Sequence, residues 1–193
     1  MLKALVLLAE GVEEMEAVIA IDVLRRTGVE VVAASTGPAR EVTASRGVRL
    51  IADALLNEAN PAAFNTLVIP GGAGGARRLA GDPRVLDLVR LFVQAGKLVA
   101  AVCAGPVVLK AAGVLDGVRF TCHPGVRDQF PGVQLSTDRV VMDNNFITSQ
   151  GPGTSMEFAL AIARRLVGEE VAAKVADGLL LPAGRSDGNQ RPR

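Results

Sequence analysis

The stretch Leu98-Val-Ala-Ala-Val-Cys-Ala-Gly-Pro106 constrains the fold more than any other. Apart from Leu98, the residues before Cys103 are small or β-branched, as a strand buried on both faces requires. A helical pattern begins at Pro106, so the thiol sits on a strand-to-helix turn, where a nucleophile can be presented. The unpaired N–H groups and positive dipole end of the helix there are expected to stabilise a thiolate. Taken as a strand alone, the run would make Cys103 an inert core residue. The turn and the neighbouring Gly105 favour a functional one.

The same alternation runs through the chain. Leu2 to Leu8 reads as a strand, Glu13 to Thr27 as a helix stopped by Gly28, and Val29 to Ser35 as a second strand. Glu41 to Ile51 reads as a short two-strand excursion around Ser45-Arg46-Gly47, and Asp53 to Phe64 as a weak segment. A strand from Thr66 to Pro70 leads into the glycine loop Gly71-Gly-Ala-Gly-Gly75, with a further helix from Pro83 to Ala95. After Cys103, Pro106 to Ala112 is helical, and a strand is expected to end in Phe120-Thr-Cys-His-Pro124. Arg139 to Ser149 reads as a hairpin turning at Asp143-Asn-Asn145, Thr154 as the cap of a helix to Val167, and Glu169 to Asp177 as a last helix. Repeated strand-helix units imply a mostly parallel α/β sheet covered on both faces, with ligands at the carboxyl ends of the strands. Residues 1–180 are expected to form one domain and residues 181–193, rich in Gly, Pro and Arg, a flexible tail.

Composition removes several functions. Among 193 residues there are six Phe and no Tyr or Trp, so aliphatic residues must fill the core. A net charge of +1 gives no basic footprint for nucleic acid. Two cysteines make no disulfide framework and no paired zinc spacing, so neither a metal nor another cofactor is implied. The apolar start Met1 to Ala9 is brief, lacks a cleavage pattern and is followed by Glu10, Glu13, Glu14 and Glu16, which favours a buried strand over a leader. No segment reaches the length of a membrane helix, and a cytoplasmic location is expected.

Two further residues stand out. On a helix from Val12, Glu16 shares the stripe of Ile19, Ala20 and Val23, whereas Glu14 lies opposite. A carboxyl on the core-facing stripe tends to keep its proton; equally, Glu16 reads as a boundary residue or as part of an acidic first turn. His123, the only histidine, ends a strand on the functional edge, with Cys122 pointing to the opposite face. The glycine loop lacks the residues of a phosphate loop, so it reads as an oxyanion hole, a tight turn, or both.

Six segments together resemble the Parkinson-linked deglycase family within the PfpI-like superfamily, including its bacterial YajL branch. They are Gly11-Val-Glu-Glu-Met-Glu16, Ser45-Arg46, Leu67-Val-Ile-Pro-Gly-Gly72, Ala101-Val-Cys-Ala-Gly-Pro106, Thr121-Cys-His-Pro124 and Thr148-Ser-Gln-Gly-Pro-Gly-Thr-Ser-Met-Glu-Phe-Ala-Leu-Ala161. The resemblance implies a flavodoxin-like three-layer sandwich and a homodimer with Arg46 near the interface. It also implies a reactive Cys103, a protonated Glu16 beside it, an assisting His123, and anion-binding backbone groups at Gly74, Gly75 and Ala104. The activity implied is a cofactor-independent glyoxalase or deglycase acting on methylglyoxal, glyoxal or their early adducts. An oxidative-stress sensor or redox-regulated chaperone is the alternative. A cysteine peptidase or amidase is disfavoured, because Ala104 follows Cys103 where such relatives carry a histidine.

Overall fold

The computed structural model describes residues 1–182, so most of the expected tail lies outside the described residues. Its strands are β1 (Lys3–Leu8), β2 (Glu30–Ser35), β3 (Glu41–Thr43), β4 (Arg49–Ile51), β5 (Ala54–Leu55), β6 (Thr66–Ile69), β7 (Leu98–Val102), β8 (Val140–Asp143) and β9 (Phe146–Ser149). Its α-helices are α1 (Glu14–Arg26), α2 (Ala73–Ala80), α3 (Pro83–Gln94), α4 (Pro106–Ala112), α5 (Ser155–Val167) and α6 (Glu169–Gly178). Seven strands form one sheet in the order β5-β2-β1-β6-β7-β9-β8, parallel except for the β8–β9 hairpin, and β3 pairs with β4 outside it. This is the expected flavodoxin-like α/β sandwich.

Strand alternation builds the two cores. On β1, Ala4, Val6 and Leu8 pack towards Ala17, Ala20 and Leu24 of α1 and Phe158 and Ile162 of α5. Leu5 and Leu7 point the other way, against Val85, Leu88 and Phe92 of α3 and Leu109 of α4. β7 divides likewise, Ala100 and Val102 to the first core, Val99 and Ala101 to the second. Because both faces are covered, the strands are apolar throughout, which is why β1, β6 and β7 are legible as uninterrupted runs.

The chain leaves β1 towards β2 and β5, then crosses to β6 on the other side of β1. The carboxyl ends of β1, β6 and β7 therefore lie side by side where the strand order reverses, the position at which open α/β sheets form their sites.

Three local expectations are corrected. Ala73 to Ala80 is helical, so most of the supposed glycine loop is the first turn of α2. The stretch before His123 pairs with no strand; Phe120 and Thr121 are held by the Phe120 carbonyl accepting from Ser136 N–H and by Thr121 N–H donating to Thr148 Oγ1, both at 3.0 Å. Thr154 precedes α5 without capping it, because its hydroxyl oxygen accepts the Gly151 N–H at 3.1 Å and lies 2.6 Å from Ser149 Oγ.

Gly105 makes the β7–α4 turn possible. A Cβ there would lie 2.5 Å from the Ile69 carbonyl oxygen and 2.9 Å from that of Val102, both fixed by the sheet. Gly105→Ala is expected to cost about 2 kcal/mol by overpacking, read as a lower urea midpoint. Gly153→Ala, whose Cβ meets nothing within 4 Å, serves as the control. Equal midpoints for the two variants would contradict this packing.

Candidate active site

Glu16 is delivered by the first turn of α1. Glu13 caps that helix, its Oε2 accepting the Glu16 N–H at 2.8 Å. The buried stripe Ala17, Ala20, Val23 and Leu24 turns the adjoining Glu16 inward, and its exposure is 0%. Its Oε2 accepts the Gly71 N–H at 2.7 Å. Oε1 is buried without a well-aligned hydrogen bond, and the side-chain group beside this carboxyl is the Cys103 thiol. Burial raises the Glu16 pKa to about 7, with the Gly71 amide and the thiol opposing the shift and the Glu13 charge adding to it. Of the two alternatives left by the pattern, the structure selects the buried carboxyl.

Glu14 departs from expectation. It too is buried, 8% exposed, because the β3–β4 turn covers it. Its carboxylate accepts from Ser45 Oγ at 2.8 Å and from the Arg46 N–H at 2.9 Å. Arg46 thus touches α1 through its backbone, while its side chain is exposed.

Cys103 follows β7 directly and adopts φ 63°, a left-handed conformation that costs a non-glycine residue about 1–3 kcal/mol. Flanking contacts hold it there: its N–H donates to the Ser149 carbonyl and its carbonyl accepts the His123 N–H, both at 2.9 Å. Its half-buried sulfur faces the amides of Gly72 and Ala104. Burial first, then the charge and hydrogen bond of Glu16, push the thiol up to about 12, while the two amides pull it down. The backbone donors at the turn stabilise a thiolate in the expected direction, but their effect is the smaller one. A neighbouring ionised carboxylate and a dry pocket outweigh the dipole of a helix of only 7 residues.

The glycines are corrected as well. Gly74 and Gly75, expected near the sulfur, pack instead on Gly11 and Val12 at the end of β1, and the Gly75 N–H donates to the Gly11 carbonyl at 3.1 Å. The residues beside the reactive groups are Gly71 and Gly72. A Cβ on Gly71 would lie 2.6 Å from Cys103 Cβ, 2.7 Å from Glu16 Oε2 and 2.9 Å from the Ala104 nitrogen. Thiol, carboxyl and amide therefore converge on the volume of one methyl group, which only glycine leaves open. The signal for this was that Gly71 and Gly72 immediately follow an apolar strand, where the chain must turn across its neighbours.

His123 is exposed and attached to the same turn through its backbone. Its Nδ1 accepts the Gly125 N–H at 3.0 Å, so the neutral ring carries its proton on Nε2. A Cβ on Gly151 would lie 3.2 Å from His123 Cδ2, so the ring rests against a second glycine that the sequence reading did not single out. Cys122 points away, fully buried against Phe120 and Phe130. Both cysteines are free thiols. Among the described residues no cluster of three or more His, Cys, Asp or Glu is placed to hold a metal ion, and no helix is long and apolar enough to cross a membrane.

Known proteins share most of this chain's length and its fold. The model of the DJ-1/PfpI family matches residues 2–165. Protein dj-1beta of Drosophila melanogaster is 43% identical over 180 residues, covering 92% of this chain and 96% of its own. A Caenorhabditis elegans protein named glutathione-independent glyoxalase DJR-1.2 is 41% identical over 172 residues, covering 86% of this chain and 90% of its own. The solved structure of oxidised Toxoplasma gondii DJ-1 superposes with a TM-score of 0.91 at 39% identity, covering 95% of this chain and 100% of that one. Similarity of this extent places the chain in the family and is shared between branches. The chain belongs to the DJ-1/PfpI family.

Proposed function

We propose that the protein is a cofactor-independent glyoxalase that converts 2-oxoaldehydes such as methylglyoxal or glyoxal to hydroxy acids, with early adducts of these aldehydes as further substrates. One observation carries the reading: a fully buried carboxyl with a pKa raised to about 7 adjoins a thiol at the carboxyl edge of the sheet. The Caenorhabditis elegans relative's being named a glutathione-independent glyoxalase supports it.

The reacting form is the one in which Glu16 keeps its proton and the sulfur has lost its own, a minor form because burial, the first cause of the raised thiol pKa, persists. Protonation of Glu16 removes the charge that opposes thiolate formation, and the Gly72 and Ala104 amides stabilise the anion. The thiolate adds to the aldehyde carbon, and the carbonyl electron pair moves to oxygen, which the amides meet and the Glu16 proton neutralises. Glu16, now ionised, takes the former aldehyde hydrogen as a proton and returns it to the adjacent carbon through an enediol, while the hydroxyl proton of the hemithioacetal passes to the neighbouring oxygen. The aldehyde carbon is thereby oxidised to a thioester and the ketone carbon reduced to an alcohol, with no external electron acceptor. Water then attacks the thioester, His123 assisting the proton transfer; the thiolate leaves, the hydroxy acid is released, and the remaining water proton restores Glu16.

The Gly72 and Ala104 amides also suit a second reading, a sensor in which an oxidised Cys103 sulfur places an oxygen against them. Peptidase chemistry lacks support, since Ala104 supplies no acid or base next to the nucleophile. The exposed apolar side chains Met15 and Val18 of α1 and Val48 and Ile51 of the β3–β4 excursion offer surface for a homodimer. Two free thiols suit a reducing compartment such as the cytoplasm.

Lactate formation from methylglyoxal is expected to fall by at least about a hundredfold in Cys103→Ser and in Glu16→Gln. Equal rates for wild type and both variants would end the proposal. In light scattering at micromolar concentration the wild-type mass is expected to be twice that of one chain, and a single-chain mass would contradict the dimer.

A further inference from the structure

A cavity of about 360 Å³ lies between α2, α4 and the Pro124–Gln129 turn, and the thiol chemistry described above leaves it unused. Its volume is that of a small-molecule site. Its inner wall is Ala104, the residue whose amide faces the Cys103 sulfur, so the cavity begins one residue beyond the reacting atoms. Methylglyoxal, with a single methyl beyond its two carbonyls, would leave it empty.

Its walls have a definite chemistry. Ala73, Ala76 and Ala80 come from one face of α2, and Val107 and Val126 close the space from α4 and the turn. Where larger side chains on α2 would fill it, alanines leave it open. Arg77 and Gln129 supply the polar groups, and no acidic side chain is among the lining residues. Arg78 beside it donates to the carbonyls of Glu10 and Gly74. Arg77 makes no hydrogen bond or ion pair among the described residues and is exposed at the cavity. The turn is tied to α4 by Lys110, whose ammonium donates to the Gln129 carbonyl and lies 5.6 Å from the Phe130 ring centroid, so the walls are fastened to the framework.

We propose that this cavity is the subsite for the distal part of larger 2-oxoaldehydes, those with an apolar body ending in an anionic group that Arg77 binds. The proposal rests on the glyoxalase reading and extends it to a substrate class: aryl or branched 2-oxoaldehydes bearing a terminal acid are preferred over their uncharged counterparts. Ala104 joins the two parts, its amide holding the oxygen on the reacting carbon and its side chain bordering the space that takes the rest.

The test is kcat/KM of the full chain for methylglyoxal, phenylglyoxal and 4-carboxyphenylglyoxal at low ionic strength. Wild type is expected to prefer the carboxylated aryl compound over phenylglyoxal by about three- to fivefold, the size an exposed ion pair allows, and to lose that preference in high salt. Arg77→Gln is expected to abolish the preference with methylglyoxal turnover unchanged. Ala80→Leu, which fills the cavity, is expected to slow both aryl substrates at least about tenfold while sparing methylglyoxal. If methylglyoxal is turned over through Cys103 but wild type shows no carboxylate preference, or Arg77→Gln retains it, or Ala80→Leu slows all three substrates equally, the subsite is overturned alone. Absence of Cys103-dependent turnover of all three substrates overturns the activity and the subsite together.

Discussion

The hydrogen bond from the Gly71 amide to Glu16 Oε2, at 2.7 Å and wholly buried, joins the end of β6 to the first turn of α1 and orients the carboxyl beside the thiol. It also makes the site sensitive to protons. Burial lifts Glu16 from an ordinary value of 4.5 to about 7, so between those values the folded state holds a proton that the unfolded state releases. The stability contributed by the protonated group is fully present below about pH 4.5 and is lost as pH rises through about 7, a difference of about 3 kcal/mol. Retaining a carboxyl at such a cost is the mark of a group kept for chemistry.

Topology explains why these particular segments meet. The reversal of strand order between β1 and β6 opens the sheet edge at the place where α1 starts, and β7 is the next strand along. Gly71 and Cys103 lie within two residues of the carboxyl ends of β6 and β7, and Glu16 is on the first turn of the helix that follows the adjacent β1. Close packing then demands small residues: Gly71 where thiol and carboxyl converge, and Gly105 where the chain turns against Ile69 and Val102. The positive φ of Cys103 is the backbone cost of lifting the thiol out of the strand direction, and bonds to Ser149 and His123 hold it there.

Much of this was legible in the sequence because burial on both sheet faces writes strands as apolar runs and helices as stripes. The strand-to-helix turn at Cys103 follows from those periodicities, and the helical stripe offered an inward Glu16 as one of two equal readings. The glycines show where periodicity fails. A run of closely spaced glycines carries no side-chain pattern to mark where strand ends and helix begins: the resemblance implied anion-binding amides at Gly74 and Gly75, whereas the amides facing the sulfur are those of Gly72 and Ala104 and the Gly71 amide holds Glu16. The burial of Glu14 was hidden for a different reason: its cover comes from the Ser45-Arg46 turn, about thirty residues away in sequence and unconnected to the helix pattern. The thiol's raised pKa was also beyond reach, since it depends on how deeply the turn is buried and on Glu16 standing next to it. Similarly, the segment before His123 looks like a strand but finds no strand partner, because β9 pairs with β8 instead.

The central claim is that Glu16 holds a proton beside Cys103 near neutrality. Infrared difference spectroscopy across pH 4 to 9, with the protonated-carboxyl stretch of Glu16 assigned by its loss in Glu16→Gln, tests it directly. The account predicts that this band persists at pH 6 and disappears around pH 7, as the raised pKa requires. A band already gone by pH 5, as for an ordinary glutamate, would contradict it.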